Sequence, residues 1–180
     1  DYAFSSCSAL TSADFSKSVA LKTIGYNAFS NCLELKNANF TNCGELTSIG
    51  NSAFYNCSSF TSFDLSNCTK ITTLNDLTFA GCTGLTSVKL PSTLTSIGNG
   101  VFSGCSSLES LTIPASVTLI GTNSYSTSSN TFNGCTGLKT LVFEDGETTI
   151  TIGEGYYSSN TSSSNKGMFY DCPLDSVYLG

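Results

Sequence analysis

Residues Phe79–Val101, FAGCTGLTSVKLPSTLTSIGNGV, decide the fold. A Phe followed three residues later by a Cys opens the stretch. The same pair recurs at Phe4/Cys7, Phe29/Cys32, Phe54/Cys57, Phe102/Cys105, Phe132/Cys135 and Phe169/Cys172. The Phe-to-Phe steps are 25, 25, 25, 23, 30 and 37 residues. A period in this range, carried by several apolar columns at once, marks a solenoid of stacked coils.

Counting from each Cys, an apolar column stands three residues on: Leu10, Leu35, Phe60, Leu85, Leu108 and Leu138, with Leu174 one place early. Two more columns follow, spaced by two residues. They run Ala13, Ala38, Phe63, Val88, Leu111, Leu141 and Phe15, Phe40, Leu65, Leu90, Ile113, Phe143. Val177 and Leu179 continue them. A spacing of two puts side chains on one face of a strand. Pro91 and Pro114 mark the strand end, where the missing N–H costs no ladder bond. A second apolar pair then appears, as Leu21/Ile24, Leu46/Ile49, Ile71/Leu74, Leu94/Ile97 and Val117/Ile120. Next comes Gly25, Gly50, Gly98, Gly121 and Gly153, with Asn75 in the third repeat. Glycine with an Asn exception predicts a left-handed backbone corner once per coil. Each repeat thus reads as a short strand, a turn, a second extended piece, a corner and a tight Phe/Cys turn. One repeat cannot bury its apolar side alone. Parallel stacking at about 4.8 Å per coil does, so about seven coils make a rod roughly 30 Å long.

The composition excludes several classes of function. The chain has 180 residues, of which only 11% are charged, and Ser and Thr together number 55. It carries a net charge of −6 and contains no Arg or His. That balance opposes nucleic-acid partners, which need a basic stripe. No apolar run approaches the roughly 20 residues of a membrane span. There is no secretory leader, and Asp1 already lies inside a repeat, which predicts a processed product or a piece of a longer array. A single solenoid over 1–180 is the expected domain organisation.

Repeat length varies in two ways. Repeats one to three carry two extra residues between their strands, as FSKSVALKT compared with LPSTLTS shows. Repeats five and six keep the core columns but lengthen the segment after the corner glycine, with TNSYSTSSNT after Gly121 and EGYYSSNTSSSNKGM after Gly153. Both insertions leave one edge of adjacent coils, and clustered insertions on a solenoid are often its binding face. The same Ser/Asn-rich composition also suits flexible filler.

The repeats FSGCSSLESLTIPASVTLIG (Phe102–Gly121) and FAGCTGLTSVKLPSTLTSIG (Phe79–Gly98) resemble the BspA-type, Treponema-like leucine-rich repeat. The resemblance covers essentially the whole chain. It implies a β-rich right-handed solenoid with short parallel strands, exported and often at the surface of bacteria or protists. It also implies adhesion or protein binding and carries over no catalytic residues. The first three repeats depart from the pattern in lacking the Pro after the strand.

Candidate site residues follow from these segments. Tyr125, Tyr156 and Tyr157, with Asn123 and Lys166, are the binding-surface candidates, because exposed tyrosines offer contact area at small entropic cost. N-x-S/T sequons stand at Asn39, Asn56, Asn67 and Asn160, with Asn160 in a long loop and Asn39 inside a strand. Seven of the nine cysteines read as a column of small buried hydrophobes. Cys43 and Cys68 form a second column in turns that read as exposed, so a disulfide between them is weighed. No C-x-x-C pair or His supports a metal site. Glu144, Asp145, Glu147 and Glu154 are acidic neighbours around an Asp-Gly turn, read as solvated. No cofactor is expected, and no residues are placed for acid–base or nucleophilic catalysis.

Two functions compete on these readings. The first is a cell-surface module that binds a protein or a host-surface ligand. The second is a filament subunit that associates with itself head to tail through uncapped solenoid ends.

Overall fold

The computed structural model describes residues 1–121, 130–146, 150–152, 168–169 and 171–179. Its strands alternate between two sides of the coil. On one side lie β1 (Ser12–Asp14), β3 (Asn37–Asn39), β5 (Ser62–Asp64), β7 (Ser87–Lys89), β9 (Ser110–Ile113), β11 (Thr140–Phe143) and β13 (Ser176–Leu179). On the other lie β2 (Thr23–Ile24), β4 (Ser48–Ile49), β6 (Thr73–Leu74), β8 (Ser96–Ile97), β10 (Leu119–Ile120) and β12 (Thr151–Ile152). Each paired strand meets its counterpart one coil away, and every pair is parallel.

The register aligns the apolar columns residue for residue. Ala13 pairs with Ala38, Phe63 with Val88, and Leu111 with Leu141, which pairs in turn with Val177. Leu74, Ile97, Ile120 and Ile152 form one row on the second side. A one-residue slip would turn an entire column to solvent, so the apolar pattern itself selects the register. A third backbone ladder runs through the Phe turns. Phe29 N–H donates to Ala53 O at 2.8 Å, Phe54 N–H to Thr78 O at 2.9 Å, and Phe79 N–H to Val101 O at 3.0 Å.

The phenylalanine column is a continuous stack inside the coil. Ring centroids from Phe4 through Phe29, Phe54, Phe79, Phe102 and Phe132 to Phe169 are 5.1 to 5.9 Å apart, with interplanar angles of 3° to 14°. Offset stacking at such distances is a preferred aromatic geometry. Phe60 and Phe63 pack on this stack from the side, with Phe63 lying 4.5 Å from Phe79 edge-on. Phe29, Phe54, Phe79, Phe102 and Phe132 are at most 2% exposed, and burying each such ring stabilises the fold by about 1.5–3 kcal/mol, whereas Phe4 at the end of the stack is 45% exposed.

The corner glycines act differently from the expectation. Among the described corners only Gly121 has a positive φ, of 70°. Gly25, Gly50 and Gly98 are required by close approach instead. A Cβ on Gly50 would sit 2.6 Å from Tyr26 N, and one on Gly98 would sit 2.9 Å from Asp76 N, in both cases in the preceding coil. Asn75 fills the same place and donates its amide to Ile49 O at 2.6 Å. The left-handed residues flank the Phe. Two places before it stand Tyr2, Asn27, Ser52, Leu77 and Gly100. Two places after it stand Ser6, Asn31, Asn56, Gly81, Gly104, Gly134 and Asp171. These paired reversals aim the turn's N–H groups at the next coil, as in Asn27 N–H to Asn51 O at 3.1 Å and Asn31 N–H to Tyr55 O at 2.7 Å.

Cys43 and Cys68 are likewise corrected, from exposed turns to full burial. Their carbonyls close the turn into the second strand, accepting from Leu46 N–H and Ile71 N–H, each at 3.0 Å. Ser18, Pro91 and Pro114 make the same turn to Leu21, Leu94 and Val117. One place in the turn therefore holds Ser18, Cys43, Cys68, Pro91 and Pro114 along the stack, exposed at Ser18 in the first coil and buried at the other four. The two extra residues of the early repeats lie just before it, capped by the side chains of Asp14, Asn39 and Asp64. These accept from the N–H groups of Ser16, Thr41 and Ser66 at 2.9, 3.1 and 3.0 Å. All nine cysteines are described, and none is disulfide-bonded.

Candidate binding surface

Two surfaces of the coil are built to face solvent. On the side of the longer strands, the positions alternating with the core column point outward. Ser12, Asn37, Ser62, Ser87 and Ser110 make one stripe, and Asp14, Asn39, Asp64, Lys89 and Thr112 the next. Asp64 and Lys89 are register partners and form an ion pair of 3.1 Å. Hydrogen bonds from Ser66, its hydroxyl foremost, hold the Asp64 carboxyl below the usual carboxylate range, with Lys89 adding to the effect. Asp14 is lowered by the backbone N–H of Ser16. Glu45 is lowered by its hydrogen bond to Lys70, 2.6 Å away in the next coil. These stripes were absent from the expected binding residues. Their signal was present as the polar positions between the core columns.

On the second side a threonine row runs across the coils. Thr47 donates its hydroxyl to Lys22 O at 3.0 Å, Thr95 to Thr72 O at 3.0 Å, and Thr118 to Thr95 O at 3.3 Å. Their hydroxyls are spent on the neighbouring coil, and exposed Lys22 holds the equivalent place in the first coil.

Both insertions are rooted at the end of this second surface. Ile120 and Ile152, the last strand residues before them, are register partners. The returning ends meet there as well. Thr131 donates its hydroxyl to Gly98 O at 3.0 Å, and Phe132 N–H reaches Met168 O at 3.3 Å. Gly121, where the first insertion leaves, is packed so closely that a Cβ would lie 3.1 Å from Met168 Cε and 3.5 Å from Thr131 Oγ1. Departure and return points of two successive coils thus converge on one spot.

The residues of the insertions themselves, Asn123, Tyr125, Tyr156, Tyr157 and Lys166, lie outside the described residues, as do Asn160, Glu147 and Glu154. Glu144 and Asp145 are exposed, and a Glu144 carboxylate oxygen accepts from Ala115 N–H at 3.4 Å. The three described sequons differ in environment. Asn67 is exposed in the turn after β5. Asn56 is half-buried and donates its amide to Asn31 Oδ1 at 3.2 Å. Asn39 is half-buried and binds Thr41 through its own carbonyl oxygen. Among the described residues, no group of three or more His, Cys, Asp or Glu side chains is arranged to hold a metal ion. Likewise, no described helix is long and apolar enough to cross a membrane.

Comparison with known proteins agrees with this geometry. The model of the BspA type leucine-rich repeat region matches residues 1–131 in six copies. No curated protein matches the chain. Among solved structures, a leucine-rich cell surface protein from Faecalibacterium prausnitzii is 30% identical, with a TM-score of 0.46, over 77% of this chain and 40% of its own. The leucine-rich repeat protein TpLRR of T. pallidum is 20% identical, with a TM-score of 0.39, over 68% of this chain and 52% of its own. The pneumococcal vaccine antigen PcpA is 16% identical, with a TM-score of 0.40, over 92% of this chain and 54% of its own. The chain therefore spans about half or less of the length of these relatives. With six consecutive copies of the repeat over most of its length, the chain belongs to the BspA-type leucine-rich-repeat family.

Proposed function

We propose that this chain is a non-catalytic binding module of the cell surface, and that its ligand-contacting region is the insertion edge. In this reading the solenoid is a rigid mount. The segments 122–129 and 153–167 present Asn123, Tyr125, Tyr156, Tyr157 and Lys166 to a protein or surface ligand. The observation that carries it is the convergence of both insertion roots at Gly121, Thr131 and Met168 on paired coils. Two variable segments on one rigid edge make a composite patch, as solenoid proteins use elsewhere. The Faecalibacterium relative is a cell surface protein, which supports the location. Replacing 123–129 and 157–166 by short Gly/Ser links, with Thr131 and Met168 kept, tests the proposal. Loss of binding to host or bacterial cells with an unchanged melting temperature is expected; retained binding rejects it.

A second reading, end-to-end self-association, rests on a different feature. Leu141, Phe143, Ile150, Phe169, Val177 and Leu179 line an apolar recess of about 260 Å³ at the β13 end. Sedimentation at rising concentration separates the two readings. Concentration-dependent growth that Leu179→Asp abolishes supports self-association, and a constant monomer mass rejects it.

A further inference from the structure

One side chain touches the roots of both insertions. The place just before each Phe carries Ala28, Ala53, Thr78, Val101 and Thr131 in successive coils, all of them short and buried. In the last coil it carries Met168, the one methionine of the chain. Its reach sets it apart. The corner glycines Gly50 and Gly98 are approached by the backbone of the coil before them. Gly121 is instead approached by side chains of later coils, Met168 Cε at 3.1 Å and Thr131 Oγ1 at 3.5 Å from where a Cβ would stand. Met168 thus covers the bare Cα from which the first insertion departs. Its carbonyl oxygen accepts the N–H of Phe132, where that insertion returns, at 3.3 Å. Met168 itself stands directly after the second insertion. A flexible, apolar thioether suits so irregular a gap. It is also 8% exposed, whereas the same place is at most 4% exposed in the five coils before it, so solvent reaches this member of the column most easily.

We propose that Met168 is a site of reversible oxidation by hydrogen peroxide, and that its sulfoxide releases the insertion roots from one another. The sulfur lone pair attacks one peroxide oxygen, and the O–O bond breaks. The departing hydroxide takes the proton of the transferred OH and leaves as water. The thioether is oxidised to a sulfoxide, and one peroxide is reduced to one water. The new oxygen is a strong acceptor, and the donors described at this place are already committed. Thr131 donates its hydroxyl to Gly98 O at 3.0 Å, Gly121 N–H goes to Ile97 O at 2.7 Å, and Phe132 N–H goes to the carbonyl of Met168 itself. A buried acceptor without a donor is costly, so the sulfoxide turns out to solvent and leaves Gly121 uncovered. The loosening is confined to the last coils, because the short side chains of the earlier ones make no such contact. It goes beyond the binding reading and holds whatever the edge binds.

The experiment treats the full, folded chain with graded hydrogen peroxide, then with dithiothreitol and an alkylating agent, and cleaves after lysine. Dithiothreitol reverses sulfenic acids and disulfides and leaves the sulfoxide in place. Peptide 167–180 holds both Met168 and Cys172, so fragmentation assigns the added oxygen. A sulfoxide at Met168 in the folded chain is expected. Amide hydrogen exchange at Phe132 should then quicken by about tenfold or more, with Phe79 N–H, bonded to Val101 O, unchanged. Methionine sulfoxide reductase should restore the slow exchange. Oxidation of Met168 only at urea concentrations that unfold the chain overturns the proposal, as does a sulfoxide that leaves Phe132 exchange as it was. An equal quickening in peroxide-treated Met168→Leu overturns it too. The first two outcomes are read on the unaltered chain, so poor folding of the variant leaves them decisive, and no ligand enters the measurement, so a failed binding reading leaves the result standing.

Discussion

The thiol of Cys82 donates to the carbonyl oxygen of Phe54, 3.1 Å away and one full coil earlier in the chain. The same oxygen accepts the backbone N–H of Cys57 in its own coil, at 3.2 Å. One carbonyl thus closes the Phe turn locally and anchors the next coil through sulfur. This explains why the small residue three places after each Phe is Cys. Alanine or valine would pack but has no donor, and serine would bring a stronger polar group into an apolar column.

Cys82→Ala is therefore expected to destabilise the solenoid by about 1–2 kcal/mol, from the lost sulfur volume and the lost weak hydrogen bond. Urea unfolding of the variant beside the parent measures it. Cys7→Ala, at an exposed thiol, serves as the matched control and should change stability by less than about 0.5 kcal/mol.

Alkaline pH should unfold the protein through this column. Burial pushes the thiols of Cys57 and Cys105 up to about 12 from an ordinary 9.0. Because the folded state holds these protons longer, stability is fully present below pH 9. It falls as pH rises from 9 towards 12, where thiols of the unfolded chain ionise first. Each such thiol contributes a slope of roughly 1.4 kcal/mol per pH unit within that window. Urea midpoints measured under reductant at pH 8, 9 and 10 should decline, and Cys57→Ala should flatten the decline.

Gly50→Ala is expected to cost about 1–3 kcal/mol, because the added methyl meets the backbone of the coil below at 2.6 Å and backbone cannot swing away. Gly44→Ala has its nearest atom at 3.9 Å and should be neutral or slightly stabilising. Thermal melts of the two variants compare a close approach with an open site at the same residue type.

Expression in a host that N-glycosylates should add a glycan at Asn67, which stands in solvent, and leave Asn56 bare in the folded product. A sugar on the Asn56 amide would replace a donor that bonds Asn31. Intact mass before and after Asn67→Gln reads the difference. A mass unchanged by this substitution, with one lost on Asn56→Gln, would contradict the assignment.

Much of the fold is legible along the chain. The Phe, Leu and Ile columns meet in the register their spacing requires, because a parallel stack repeats its own sequence at a fixed offset. Phe54, Phe79 and Phe102 therefore had to pile on one another once the period was recognised. The candidate surface is legible only as a pair of lengthened segments; that their roots meet at Gly121, Thr131 and Met168 is a fact of coil-to-coil packing.

The remaining features arise from contacts about 25 residues apart, which side-chain identity alone does not announce. Gly50 and Asn75 look like residues for a left-handed corner, yet the neighbouring coil's backbone is what requires Gly50, and Asn75 fits by bonding Ile49. Leu77 and Ser52, which carry no such signature, take the positive φ instead. Cys43 and Cys68 read as turn residues because Thr41-Asn42 and Ser66-Asn67 before them are polar, but their place is the one Pro91 and Pro114 fill inside later coils. Period and apolar identity determined which side chains form the core. Coil-on-coil contact decided which backbone positions reverse, which thiols are buried and where the two insertions stand, because each depends on atoms a full turn of the solenoid away.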